Sequence, residues 1–192
     1  MNSKQLTKTK LSTAQMSYCV IFSVLIIVGA FIKVPVPVVP FTLQIFFVYM
    51  AGLILGPRLG AASVVIYALL GLVGLPVFAE GGGPWYVFKP SFGYIIGFVI
   101  AAYVIGAISS KTGFTSYWKI VGALFIGLLI DYAVGMVYYY IISNFVIDTP
   151  IGLWPLFLYC FLLAVPGDIV LCFVAAAVVK RVKPQIDRLM SK

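Results

Sequence analysis

Two acidic residues interrupt long apolar runs in this sequence, and chemistry is sought there first. Asp168 follows Val165-Pro166-Gly167 in the middle of an apolar stretch. Proline and glycine there release backbone groups that other atoms must satisfy, and an aspartate in such a place either caps the next half-helix or binds something. An ionisable group at membrane depth is a functional candidate by default, and broken membrane helices put such groups at substrate sites. Asp131 lies in a second apolar run with no Lys or Arg at comparable depth, and reads as structural. A third feature is the segment from Leu75 to Pro90, which holds Gly81-Gly82-Gly83, three prolines, Trp85, Tyr86, Phe88 and Lys89. Consecutive glycines permit close backbone approach to a ligand. The segment reads as a lid over a pocket, against the plainer reading of a loop with interfacial aromatics.

Other chemistry is excluded. There is no histidine, so no histidine base, triad or histidine-held zinc. Cys19, Cys160 and Cys172 stand in apolar runs without CxxC spacing and read as small buried hydrophobes. No Gly-x-x-x-x-Gly-Lys-Ser/Thr loop is present, so this chain hydrolyses no ATP.

The elements that position these residues follow from composition. Of 192 residues, 63% are apolar or aromatic and only 9% are charged. Soluble domains carry about 25% charged residues. The length suits one domain, all-α, embedded in a lipid bilayer. A crossing needs about 20 apolar residues. Six runs qualify: about Ala14 to Ile32, Thr42 to Leu55, Leu59 to Leu75, Phe92 to Ile108, Trp118 to Ile142 and Leu153 to Val179. The first is too long for a signal-peptide core and is followed by prolines at 35, 37 and 40 rather than a cleavage site. Residues 1–13 and 180–192 are basic tails. Gly52/Gly56/Gly60, Gly93/Gly97 and Ala102/Gly106 have the spacing of close helix packing.

The net charge of +8 does not point to nucleic acid, because the basic residues flank apolar runs. With the N-terminus inside, Lys4, Lys8, Lys10, Arg58, Lys111, Lys119, Lys180, Arg181, Lys183, Arg188 and Lys192 fall on the inner side, and only Lys33 and Lys89 outside. That asymmetry sets both termini in the cytoplasm and the Gly-rich lid outside.

Several stretches together resemble the BioY family, the substrate-binding (S) components of energy-coupling factor biotin transporters. They are Pro37-Val38-Val39-Pro40-Phe41-Thr42-Leu43-Gln44, Leu55-Gly56-Pro57-Arg58-Leu59-Gly60, Gly71 to Ala79, Lys89-Pro90-Ser91-Phe92-Gly93-Tyr94 with Gly97-Phe98, and Pro166-Gly167-Asp168. The resemblance spans Val34 to about Val179. It implies biotin as the transported ligand, no cofactor and no enzymatic activity. It also implies a multi-pass location in the cell membrane, with a coupling membrane subunit and two ATPase subunits as partners.

The resemblance further implies a pocket with an acceptor for the ureido N–H groups, a donor for the ureido carbonyl, apolar walls and a cation for the carboxylate tail. On that basis Asp168 is the ureido acceptor, through a charge-assisted bond. Gln44 sits near the ring with both donor and acceptor capacity. Gly82, Gly83 and Ser91 supply backbone or hydroxyl contacts. Lys89 meets the carboxylate, and Phe41, Tyr49, Trp85, Tyr86 and Tyr94 form the wall. Two departures stand out. Many members have Lys three residues after this Asp, where this chain has Leu171. The Ala-x-x-x-Ala docking face of the first helix is here Ala14 followed by Tyr18, with Thr13 and Ser17 as small-residue substitutes.

Two alternatives keep the same helices. One is an S component for another vitamin. The other is an intramembrane aspartyl protease with Asp131 and Asp168 sharing a proton. Val165 stands where the protease motif wants glycine, and no Pro-Ala-Leu follows.

Overall fold

The computed structural model describes residues 12–34, 41–112 and 116–190. The basic residues up to Lys10, the 35–40 proline stretch and Lys192 lie outside the described residues. Helix α1 is Thr13–Phe31, α2 Gln44–Val73, α3 Phe92–Thr112, α4 Tyr117–Phe145, α5 Leu153–Phe157 and α6 Val165–Met190. A two-residue strand β1, Lys33–Val34, pairs antiparallel with β2, Phe41–Thr42, in the register Lys33↔Thr42 and Val34↔Phe41.

Among the described residues, five helical segments are long and apolar enough to cross a membrane, the last being Leu153–Lys183. The sequence places two short helices at 42–55 and 59–75. The structure has one helical segment, α2, interrupted only at Gly56 (φ 80, ψ −176). The segment is not a rod. A straight helix would separate Gln44 from Tyr67 by about 35 Å, yet Gln44 Nε2 donates to the Tyr67 hydroxyl at 2.5 Å. A Cβ on Gly60 would lie 2.8 Å from the Gly52 Cα. The chain therefore doubles back at Gly56 into two touching arms. Gly56 supplies a backbone conformation that is essentially closed to other residues. Pro57 starts the second arm, where its missing N–H costs nothing.

The small residues set how closely the helices approach. A Cβ on Gly52 would lie 2.6 Å from the Ala102 carbonyl oxygen, and one on Gly106 would lie 2.5 Å from the Pro57 nitrogen. Helix α3 thus packs against both arms of α2, with α4 on its other flank. Helix α1 lies on α2, and α6 closes the bundle against α2 and α4. In a bilayer, such packing replaces the hydrophobic effect as the source of association. Gly56→Ala meets no crowding, its nearest neighbour being Ser110 Oγ at 3.8 Å. Its cost is backbone strain alone, about 1–3 kcal/mol. The expected result is a lower melting temperature in detergent; a melting temperature equal to wild type would contradict the hairpin.

The sixth apolar run breaks where proline and glycine predict. After α5 comes a π-helical turn, Leu158–Leu162, then a turn at Leu163–Ala164, and α6 begins with Pro166 in its first turn. Helix α6 runs on to Met190 rather than ending near Val179. The end of an apolar run marks where lipid stops, not where backbone hydrogen bonding must stop. At the same end of the bundle, Lys183 Nζ donates to the Ile54 carbonyl at 2.9 Å, tying α6 to the tip of the α2 hairpin.

At the opposite end, the segment between α2 and α3 folds back over the bundle. Phe78 and Gly81 exchange backbone bonds of 2.9 and 3.2 Å. A short 3-10 helix, Pro84–Phe88, follows. Gly83 N–H bonds to the Gly71 carbonyl at 2.7 Å, and the Tyr138 hydroxyl of α4 donates to the Val87 carbonyl.

Candidate functional site

A cavity of about 660 Å³, counting its open mouth, lies between this folded-back segment and the break before α6. Several of its walls come from irregularities already described. Strand β2 and the first turn of α2 bring Phe41, Thr42, Gln44 and Ile45. The covering segment brings Ala79 and Tyr86, and the start of α3 brings Ser91, Tyr94, Ile95 and Phe98. Mid-α4 adds Asp131 and Tyr132, and the broken sixth run adds Cys160, Ala164 and Asp168. Tyr67, from the second arm of α2, completes the wall.

Its polar groups are held in fixed directions. Asp168 is 6% exposed, and its Oδ2 accepts a 2.5 Å bond from the Tyr132 hydroxyl. Gln44 is fixed from both ends: Thr42 Oγ1 donates to its Oε1 at 3.2 Å, and its Nε2 donates to Tyr67. The Tyr94 hydroxyl donates to the Cys160 carbonyl at 3.2 Å, on the π-turn. Asp131 Oδ1 is buried with no hydrogen-bond partner among the described residues. It lies against Gly97, where a Cβ would collide with it. Burial pushes the Tyr86 phenol further above its ordinary value, which already leaves it neutral at physiological pH. The arrangement suits a compact neutral ring rich in N–H and C=O groups, with apolar parts beside Phe41, Ile95 and Phe98.

Of the eleven site residues expected from sequence, Phe41, Gln44, Tyr86, Ser91, Tyr94 and Asp168 meet at this cavity. The other five do not form its wall. Tyr49 is fully buried within the bundle, and its hydroxyl lacks a partner among the described residues. Gly82 packs against the Leu75 carbonyl, and Gly83 spends its N–H on Gly71. Trp85 is 78% exposed and stacks on Phe88. Lys89 Nζ sits 3.2 Å from Glu80 Oε2 and 5.0 Å from the Tyr86 ring centre.

Sequence reasoning missed Tyr67 and Tyr132, the two phenols that orient Gln44 and Asp168. The signal for Tyr132 was its place beside a mid-span acid. The signal for Tyr67 was its four-residue spacing from Ser63 and Gly71 on a tightly packed face. Asp131, read as structural, shares the cavity with Asp168. The three cysteines are buried and free, as small hydrophobes would be.

The sequence pattern of the BioY family matches residues 2–188. A probable biotin transporter from Lysinibacillus sphaericus is 42% identical over 170 residues, covering 88% of this chain and 87% of that protein. The biotin transporter of Thermotoga maritima is 42% identical over 117 residues, covering 60% of this chain and 68% of that one. The crystal structure of the S-component for biotin from an ECF-type ABC transporter superposes with a TM-score of 0.80 at 26% identity. The match covers 91% of this chain and 95% of that structure.

Proposed function

The chain belongs to the BioY family, and from that premise we propose that it captures biotin as the S component of an energy-coupling factor transporter. The observation that carries the reading is the cavity wall itself: an aspartate pinned by a tyrosine at a broken helix, and in the same wall an amide pinned from both ends. Asp168 Oδ1 accepts a ureido N–H, since Oδ2 is already engaged by Tyr132. Tyr86 and Ser91 supply O–H groups toward the ureido carbonyl. Phe41, Tyr94 and Phe98 enclose the thiophane ring and the first methylenes. Gly82, Gly83 and Trp85 belong to the cover and act on the ligand by holding that cover in place.

The α2 hairpin turns five apolar helical segments into six crossings, with the cover outside and both termini in the cytoplasm. Support comes from the Lys and Arg asymmetry and from Lys183 meeting the hairpin tip at the end opposite the cover. Energy comes from a coupling membrane subunit with two ATPase subunits. Thr13, Ala14 and Ser17 are exposed on one stretch of α1 and offer a small-residue docking face, while Tyr18 is half-buried. The membrane is the plasma membrane, where a vitamin enters the cell. The family is one of transporters, not enzymes, so two acids in one cavity are not a protease dyad here.

Purified protein titrated with biotin, thiamine and riboflavin tests the ligand. Saturable binding of biotin that neither competitor displaces is expected. Displacement by thiamine or riboflavin, or no biotin binding at all, would overturn the reading.

A further inference from the structure

The cavity wall carries two carboxyl groups, Asp131 and Asp168, and no Lys or Arg. An anionic tail cannot end beside those acids, so its counter-charge must stand at the rim. Two lysines stand there. Lys89 has its charge matched: its ammonium is 3.2 Å from Glu80 Oε2 and 3.2 Å from the Glu80 carbonyl. That is the single ion pair among the described residues. Lys33 has no carboxylate within ion-pair distance among them. Its backbone lies on β1 directly across from Thr42, a wall residue. Its Nζ donates at 2.7 Å to the carbonyl of Ala79, another wall residue. The backbone of Lys33 is thus held by one part of the wall and its ammonium by another. With three N–H donors and one spent on Ala79, it has two left.

We propose that Lys33 is the specificity residue that receives the carboxylate tail of the ligand, a role the sequence reading gave to Lys89. The inference rests on the biotin reading and fixes the ligand's direction: ureido ring toward Asp168, tail toward the β1–β2 rim. Lys33 then does two things with one ammonium. It ties the cover down through Ala79, and it prefers a ligand whose tail is charged. Because the side chain is solvent-accessible, the preference is modest, about three- to tenfold.

The test separates the two roles by changing charge on both partners. Wild type, Lys33→Gln, Lys33→Arg and Lys89→Gln are titrated with biotin and with biotinamide, whose tail ends in a neutral amide. Wild type is expected to favour biotin three- to tenfold. Lys33→Gln should lower that preference to within twofold, whereas Lys33→Arg and Lys89→Gln retain it. Equal weakening of both ligands by Lys33→Gln would make Lys33 a mere cover tie and overturn the assignment. So would no change at all, or loss of the preference in Lys89→Gln instead. Should Lys33→Gln not fold, Lys33→Met, which keeps the length without the charge, takes its place with the same outcomes: a preference lowered to within twofold supports the assignment and one retained overturns it. Wild type that binds neither ligand removes the biotin reading itself, an outcome distinct from all of these.

Discussion

Asp168→Asn binds biotin about 30- to 150-fold more weakly than wild type. The reason is directional. In the native site the Tyr132 hydroxyl donates to Asp168 Oδ2 at 2.5 Å, leaving the other oxygen for the cavity. Asparagine has one oxygen and one NH₂. Tyr132 keeps the oxygen as its acceptor, so the NH₂ faces the ligand, and a donor meets the ureido N–H donor. A buried donor left unmatched costs about 1–3 kcal/mol, more when a charged group was the original partner. Placing the loss at about 2–3 kcal/mol gives the stated range at about 1.4 kcal/mol per tenfold. Tyr132→Phe separates orientation from acceptance. It removes the pin but keeps both carboxyl oxygens, and loses about tenfold or less. Calorimetric titration of both variants checks the order. If Asp168→Asn binds like wild type, Asp168 does not touch the ligand. If Tyr132→Phe is the worse variant, the pin matters more than the acceptor.

The two effects also define what Asp131 does. Its Oδ1 has no hydrogen-bond partner among the described residues and lies against Gly97 between α3 and α4, while Asp168 Oδ2 is bonded directly to the Tyr132 hydroxyl. Two acids on one wall therefore differ in kind. Asp168 is held by a phenol, and Asp131 is wedged where two helices touch.

How much of this was legible beforehand follows from the kind of signal each residue gives. Helix positions were readable because a bilayer demands long apolar runs, and the break before α6 because Pro166 and Gly167 interrupt one. The α2 hairpin was readable in part. Gly56-Pro57 marks a reversal, but the helical backbone resumes at once on either side, so one helix and two are told apart by contacts between the arms, Gln44 with Tyr67 and Gly52 with Gly60. Which aromatics face the cavity was readable only in part: Phe41, Tyr86 and Tyr94 do, and Tyr49 and Trp85 do not. A helix that is apolar all round gives periodicity no face to report, and twelve tyrosines in the chain look alike. Tyr49 and Tyr67 both lie in α2 and both are fully buried, yet only Tyr67 reaches the wall. The charges at the rim were unreadable for another reason. Lys89 pairs with Glu80 only because the intervening glycines and 3-10 turn fold nine residues back on themselves. Lys33 reaches Ala79 across 46 positions of sequence.

Gly71→Leu unseats the cover, and its effect on binding rivals that of Asp168→Asn although residue 71 is absent from the wall. Phe78 is 1% exposed, with its ring centre 5.3 Å from Tyr67, 4.4 Å from Tyr86 and 6.4 Å from Phe92. It also lies on Gly71, where a Cβ would stand 2.0 Å from the ring's Cζ. With three rings packed around it, Phe78 yields to a side chain there only by leaving its seat. A leucine at 71 therefore drives Phe78 out and with it the Phe78–Gly81 turn, Ala79 and Tyr86. Removing a buried Phe costs about 3–5 kcal/mol; if about 2–3 kcal/mol of that is lost from cover closure, biotin binding weakens about 30- to 150-fold. Two readouts are expected together: the loss of affinity, and rapid chymotrypsin cleavage at Phe78 and Tyr86, which are buried in the native fold. The double variant Gly71→Leu, Phe78→Ala exchanges the two volumes and recovers part of the affinity, because residues in contact do not add. A Gly71→Leu protein with wild-type affinity and an uncleaved cover would mean that the Phe78 seat does not close the cavity.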